Sequence, residues 1–99
     1  MPKAYVIVDV TVTDAEAYKD YQRLSSIAAE TYGATFLVRG GAHEVLEGDA
    51  SPGRLVLLEF ESAEAARAWY HSPEYAEARR ARANAAHGTF ILVEGASPS

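Results

Sequence analysis

Ninety-nine residues make one domain, too few for two independent cores, and an apolar content of 48% is globular rather than disordered. The absence of cysteine excludes disulfides, thiolate catalysis and cysteine-ligated metals, and suits a cytoplasmic location. A formal net charge of -5 argues against nucleic acid as a partner, and no stretch approaches the ~20 apolar residues of a membrane span. The organisation expected is one domain over residues 1–95, followed by a frayed polar tail at 96–99. Met1-Pro2-Lys3-Ala4-Tyr5 runs straight into a strand, without the layout of a signal peptide.

The first element is a strand over Ala4 to Val12. Its even positions Val6, Val8, Val10 and Val12 are all valine, whereas Tyr5, Ile7, Asp9 and Thr11 are mixed. Alternate side chains of a strand point to opposite faces, so one face suits a cover of helices and the other carries a phenol and a carboxylate. Thr13-Asp14-Ala15-Glu16 has the form of a capping box, with Thr13 as the N-cap and Glu16 reaching back to its amide. The helix that follows is expected to run to about Tyr32 and stop at Gly33, with Ala17, Tyr21, Leu24, Ala28 and Tyr32 along one stripe.

Thr35 to Arg39 reads as a second strand, with a bulge or bend at Gly40-Gly41 and the extended pattern resuming over Ala42 to Glu47. Gly48 to Gly53 is a turn, and Arg54 to Glu61 a third strand with Val56, Leu58 and Phe60 on its apolar side. Ser62 caps a short helix, and Ser72-Pro73-Glu74 restarts it, with serine as cap and proline at the first helical position. That helix is expected to end near His87-Gly88, with Thr89 to Glu94 as the last strand. Arg79, Arg80 and Arg82 fall late in it, where cations complement the negative end of the helix dipole.

The order strand, helix, strand, strand, helix, strand is the α+β, ferredoxin-like plan: an antiparallel-rich sheet with helices on one face. The uncovered face then shows Tyr5, Ile7, Leu55 and Leu57. An apolar patch of that kind marks association or ligand binding, and two copies meeting face to face would enclose it.

Several stretches carry a family resemblance: Asp14-Ala15-Glu16-Ala17-Tyr18, Phe36-Leu37-Val38-Arg39-Gly40-Gly41, Glu44-Val45-Leu46-Glu47-Gly48, Pro52-Gly53-Arg54-Leu55-Val56, Glu59-Phe60, Ala68-Trp69-Tyr70, Ser72-Pro73-Glu74-Tyr75 and Val93-Glu94-Gly95. Together they resemble the family known as domain of unknown function 1330, within the dimeric α/β-barrel superfamily, over nearly the whole chain. The resemblance implies a ferredoxin-like protomer and a homodimer whose sheets form a barrel. The wider superfamily includes cofactor-independent quinol monooxygenases, haem-degrading enzymes, lactone isomerases and dehalogenases, but no catalytic set of theirs maps onto this sequence residue by residue. Fold does not fix function.

With the first and third strands taken as parallel neighbours, Ile7 stands beside Leu57 and Asp9 beside Glu59, and the bend at Gly40-Gly41 leaves Arg39 within reach of Glu59. Asp9, Glu59 and Arg39 then gather at one end of an apolar cavity, with Tyr5, Ile7, Leu57, His43 and Trp69 as candidate substrate contacts. One reading makes Glu59 or Asp9 a general acid or base and Arg39 the holder of an anionic or enolate-like oxygen. The other makes Arg39–Glu59 a structural ion pair and leaves Asp9 at a strand end. Trp69 reads as core on the sheet or as a cavity wall, and His43 as a surface residue or the cavity mouth. His71 and His87 each fall at a helix end, where a charge–dipole role suffices.

No histidine spacing of a metal site occurs, no glycine-rich phosphate loop stands out, and nothing asks for a cofactor. Three functions follow: a cofactor-free acid–base enzyme acting on a small, oxygenated, largely apolar molecule, a protein that binds such a molecule without turnover, or a homodimer whose cavity serves assembly alone.

Overall fold

The alternating valines decide the layering. In the computed structural model, which describes residues 2–96, strand β1 (Ala4–Val12) buries Ala4, Val6, Val8 and Val10 and leaves its odd-numbered residues half-buried or exposed. Helix α1 (Ala15–Thr31) crosses to strand β2 (Thr35–Arg39), an irregular arm leads to β3 (Arg54–Phe60), and helices α2 (Ala63–Tyr70) and α3 (Pro73–Arg82) precede β4 (Ala86–Glu94). The four strands lie in the order β2-β3-β1-β4, every neighbouring pair antiparallel, which is the ferredoxin-like arrangement. The tail expected to fray lies, beyond residue 96, outside the described residues.

One expectation is reversed. β1 and β3 pair antiparallel, with Ile7 opposite Leu57 but Asp9 opposite Leu55 and Tyr5 opposite Glu59. The α1 crossover makes β1 and β2 run the same way. β3 inserts between them and must run against both. Only the central pair of the proposed alignment survives the reversal.

The local signals mostly hold, with shifts. Asp14, not Thr13, caps α1, accepting from the Ala17 N–H at 3.1 Å. The Thr13 amide is already engaged by the Ala85 carbonyl at 2.8 Å, so no capping box closes, and Glu16 pairs with Lys19 instead. The helix ends as expected at Gly33, whose φ of 74° favours glycine. The inward stripe of α1 is centred on Tyr18, Tyr21, Ser25, Ala28 and Ala29, with Ala17, Leu24 and Tyr32 at its half-buried margin.

The β-bulge falls at Leu37, between the Phe36–Leu58 and Val38–Leu57 pairs, not at Gly40-Gly41. Residues 40–53 form no strand, so the extended pattern expected over Ala42 to Glu47 does not join the sheet. α3 stops at Arg82, and β4 starts at Ala86, three residues before the expected Thr89. Pairing with the end of β1, Ala86 to Val12 and His87 to Thr11, overrides the helix propensity of the alanines, and His87 sits in a strand rather than at a helix end.

Trp69, Tyr75, Phe60 and Val10 are the largest fully buried side chains. The Tyr75 ring lies 4.3 Å from that of Trp69, and its hydroxyl is 2.7 Å from the Tyr21 hydroxyl, fastening α3 to α1. Arg79 lies over Tyr70 and Arg82 over Phe90, both at 4.7 Å, so the basic end of α3 covers aromatic rings besides facing the helix dipole.

Between α2 and α3 the buried Ser72 hydroxyl accepts from the Tyr75 N–H at 3.0 Å and donates to the Trp69 carbonyl at 2.7 Å. Ser72→Ala removes both bonds at the turn that positions Trp69 and Tyr75. We expect a loss of about 1–2 kcal/mol, seen in thermal denaturation as a Tm lower by roughly 4–8 °C per kcal/mol.

Candidate small-molecule site

The residues singled out by the sequence divide between the two faces of the sheet. Tyr5, Ile7 and Leu57 share the uncovered face, as expected, and Ile7 and Leu57 stand in a row that continues through Val38 and Ile91. Asp9 and Glu59 belong to opposite ends of that face, four residues apart in register, or roughly 13 Å. The Asp9 carboxylate accepts the Gly53 N–H at 2.9 Å and pins the end of the arm to β1. Glu59 faces Lys3 at 3.4 Å. No acid pair forms, and neither carboxylate meets Arg39. His43 is exposed on the arm.

Arg39 is displaced by the bulge. Since Leu37 occupies the extra position, Phe36 and Arg39 both fall on the helix side, opposite Leu58 and Val56. The Arg39 guanidinium lies 4.2 Å over the Phe36 ring and donates to the Ser26 hydroxyl of α1. Trp69 is also on this side, 1% exposed. Of the residues singled out by the sequence, Arg39 and Trp69 thus lie on the covered side.

Two recesses lie there. The larger, about 280 Å³, opens between α2 and the outer half of the sheet. Val6, Phe90 and Leu92 form its floor, Ala66, Trp69 and Tyr70 its wall, and Arg67 and His71 are the polar side chains that line it. α2 has eight residues against seventeen in α1, so it cannot cover the strands to their ends. Trp69 Nε1 is buried and meets no acceptor among the described residues, which leaves a donor to spare. Apolar walls with a few polar groups, at the lower edge of the usual ligand-pocket size, are the form of a small-molecule site.

None of Arg67, Tyr70, His71, Phe90 and Leu92 was singled out as a site residue from the sequence, where His71 is read only as a charge at a helix end. Helical spacing was the available signal for the first three, at i, i+3 and i+4. Parity was the signal for the last two, once β4 is paired with β1.

The second recess, about 30 Å³, lies between α1 and the sheet, where Arg39 and Arg54 approach Tyr18, Tyr21, Gln22 and Ser25. Burial raises the Tyr18 phenol pKa, aided by the neighbouring Tyr21 and opposed by Arg54. Burial, with Tyr21 beside it, also holds the Tyr75 phenol far above its ordinary value. The Tyr32 phenol is raised by its hydrogen bond to Glu74. Tyr18 and Tyr75 therefore serve as neutral hydroxyls, not as bases. Among the described residues no cluster of three metal-ligating side chains occurs.

The family model described as domain of unknown function (DUF1330) matches residues 3–96, and the chain belongs to that family. No curated protein matches the sequence. Among solved structures, a protein of unknown function from Rhodopseudomonas palustris is 23% identical, with a TM-score of 0.78 over 98% of this chain and 85% of that one. SnoaB from Streptomyces nogalater, described as a cofactor-independent oxygenase, is 12% identical, with a TM-score of 0.60 over 99% of this chain and 97% of its own. A conserved protein of unknown function from Bacteroides thetaiotaomicron is 15% identical, with a TM-score of 0.62 over 95% of this chain and 98% of that one. At such identities the likeness is one of fold.

The buried phenols set an alkaline limit on stability. With a folded-state pKa above the unfolded value of about 10, Tyr75 contributes its full stabilisation below pH 10. Above that pH only the unfolded chain ionises, and stability falls as pH rises. Urea unfolding at pH 9 and 11 should give a lower midpoint at pH 11, with a smaller decline in Tyr75→Phe.

Proposed function

We propose that this DUF1330 protein is a homodimer that binds a small, largely apolar, oxygenated molecule in the Trp69 cavity and transforms it by acid–base chemistry without a cofactor. The observation that carries the reading is the cavity itself: an apolar floor, a buried indole N–H without an acceptor, and a guanidinium and an imidazole among its lining groups. In this reading Val6, Phe90 and Leu92 take the apolar body, and Arg67 with the Trp69 N–H holds an oxygen. His71 takes a proton from one atom of the bound molecule, Arg67 faces the enolate so formed, and His71 returns the proton to another atom, so that the net change is an isomerisation. The description of SnoaB as a cofactor-independent oxygenase supports cofactor-free chemistry on this fold.

Tyr5, Ile7 and Leu57 fall to assembly in this reading. Ile7 is 40% and Ile91 51% exposed, in the same row of the uncovered face. Strands of nine, five, seven and nine residues present a face of roughly 500 Å², against about 800 Å² per partner in a standard interface. The arm over 40–53 bears Val45 and Leu46, the latter 88% exposed, and laying it on a second copy supplies the remainder. Sedimentation should give a dimer at micromolar concentration and a monomer for Ile7→Asp or Ile91→Asp. A wild-type monomer would refute the assembly.

Trp69 is the sole tryptophan and lines both recesses, so its fluorescence reports binding in either, and Arg67, which lines only the larger, tells them apart. Titration with phenols, naphthols and cyclic β-diketones should give a saturable change for at least one compound class. Arg67→Ala should weaken binding about tenfold, some 1.4 kcal/mol. His71→Ala should leave binding intact and abolish loss of the compound's absorbance. A flat response across the panel would sink the reading. Binding without turnover in the wild type would reduce it to a binding protein.

A further inference from the structure

The recess between α1 and the sheet holds a combination that the cavity at Trp69 does not use. Arg54 opens β3 in the same even-numbered series as Val56, Leu58 and Phe60, so the alternation that builds the core also carries a guanidinium under α1. Its Nε is buried and has no hydrogen-bond acceptor among the described residues. Arg39, carried to the same side by the bulge, lines the same recess. The ion pairs among the described residues, Lys3–Glu59 and Lys19–Glu16, involve neither arginine.

The chain has fourteen acidic residues, yet none lines this recess. Its other lining groups are neutral, Tyr18, Tyr21, Gln22 and Ser25 beside apolar side chains that include Trp69, and the Tyr18 hydroxyl lies near Arg54. Gly40, whose φ of 76° favours glycine, lies against the Arg54 guanidinium, so a Cβ there would have to push that flexible end aside. A buried guanidinium N–H without an acceptor is costly, and a recess lined by two arginines and no acid is matched to a negative ligand.

We propose that this recess is a binding site for a small oxyanion, a carboxylate above all, held between Arg54 and Arg39 with the Tyr18 hydroxyl as a further donor. About 30 Å³ is room for a carboxylate-sized group or two waters. Planar carboxylate matches the two-donor edge of a guanidinium. Arg54 is the fixed half of the site. Arg39, exposed at the mouth and held by Ser26 and the Phe36 ring, is the half that moves as the anion enters. The anion comes either free, as an inorganic ion, or as the acid end of an organic molecule whose body leaves past Arg39. The site is independent of the chemistry proposed at His71.

The test is thermal denaturation and calorimetric titration of the full-length protein at fixed ionic strength, with formate, acetate, benzoate, inorganic phosphate and chloride. A saturable rise in Tm with carboxylates, absent with chloride, is expected. Benzoate acting at lower concentration than acetate identifies an organic acid, and phosphate acting best identifies a free ion. Arg54→Met should abolish the response while unfolding no earlier than wild type in anion-free buffer, because it removes a buried N–H that has no acceptor. A merely structural Arg54 would instead unfold earlier. Arg39→Gln, altered at an exposed position, should weaken binding at least tenfold with Tm unchanged, so the site remains testable should Arg54→Met fail to fold. His71→Ala should respond as wild type. Equal shifts with chloride, or a full response in both arginine variants, would overturn the proposal.

Discussion

Everything in this protomer is referred to the alternation along β1. It is the one strand flanked on both sides by its longest partners, β3 and β4, so its parity is imposed on both through the antiparallel register. Val6, Val8 and Val10 select the covered side, and with them go Leu58, Val56, Arg54, Phe90 and Leu92. A slip of one residue would carry every one of these to the opposite face. Burying the valines thus fixes where Arg54 points, although nothing about Arg54 itself favours burial. The same register leaves Ile7, Leu57, Val38 and Ile91 outside as a row across the whole sheet.

Against that alternation the bulge at Leu37 acts as a switch for the end of β2. By parity alone Arg39 would share the uncovered face with Leu37. One extra residue moves it to the helix side, onto Phe36 and toward Ser26. Gly40 then follows in a left-handed conformation, its N–H donating to the Leu55 carbonyl at 2.8 Å, and clears the space that Arg54 occupies. The local irregularities of β2 therefore act together, giving two cations the same surroundings. Irregular backbone concentrated at one spot of an otherwise regular sheet is where a functional constraint is to be sought.

The fold was legible because its signals are local and redundant. The valines of β1, the serine caps at Ser62 and Ser72, Pro73 at the first helical position and Gly33 each act within a few residues, and each holds in the structure. The site was not legible, because it rests on non-local pairings. Whether Asp9 meets Glu59 depends on strand direction, which is set by connectivity and not by composition. Whether Arg39 faces Glu59 depends on a bulge, and Leu37 carries no mark of one, whereas the Gly40-Gly41 pair beside it carries a misleading one. Arg54 was available to a strict reading of parity, since it stands in the even series of β3.

The two faces thus divide the demands on a small domain. A ferredoxin-like sheet of this size has an apolar side without a cover, and an apolar side open to water is a liability for a lone protomer. Filling the covered side entirely with apolar groups would have been the more stable use of it. Instead that side keeps a guanidinium whose buried Nε has no acceptor among the described residues, an indole N–H without one and a cavity beside α2, each of which costs stability. Association through the uncovered face would offset such costs without occupying the interior. On this argument assembly and ligand binding would use opposite faces of one sheet, and a dimer would permit the protomer's interior to remain imperfectly packed.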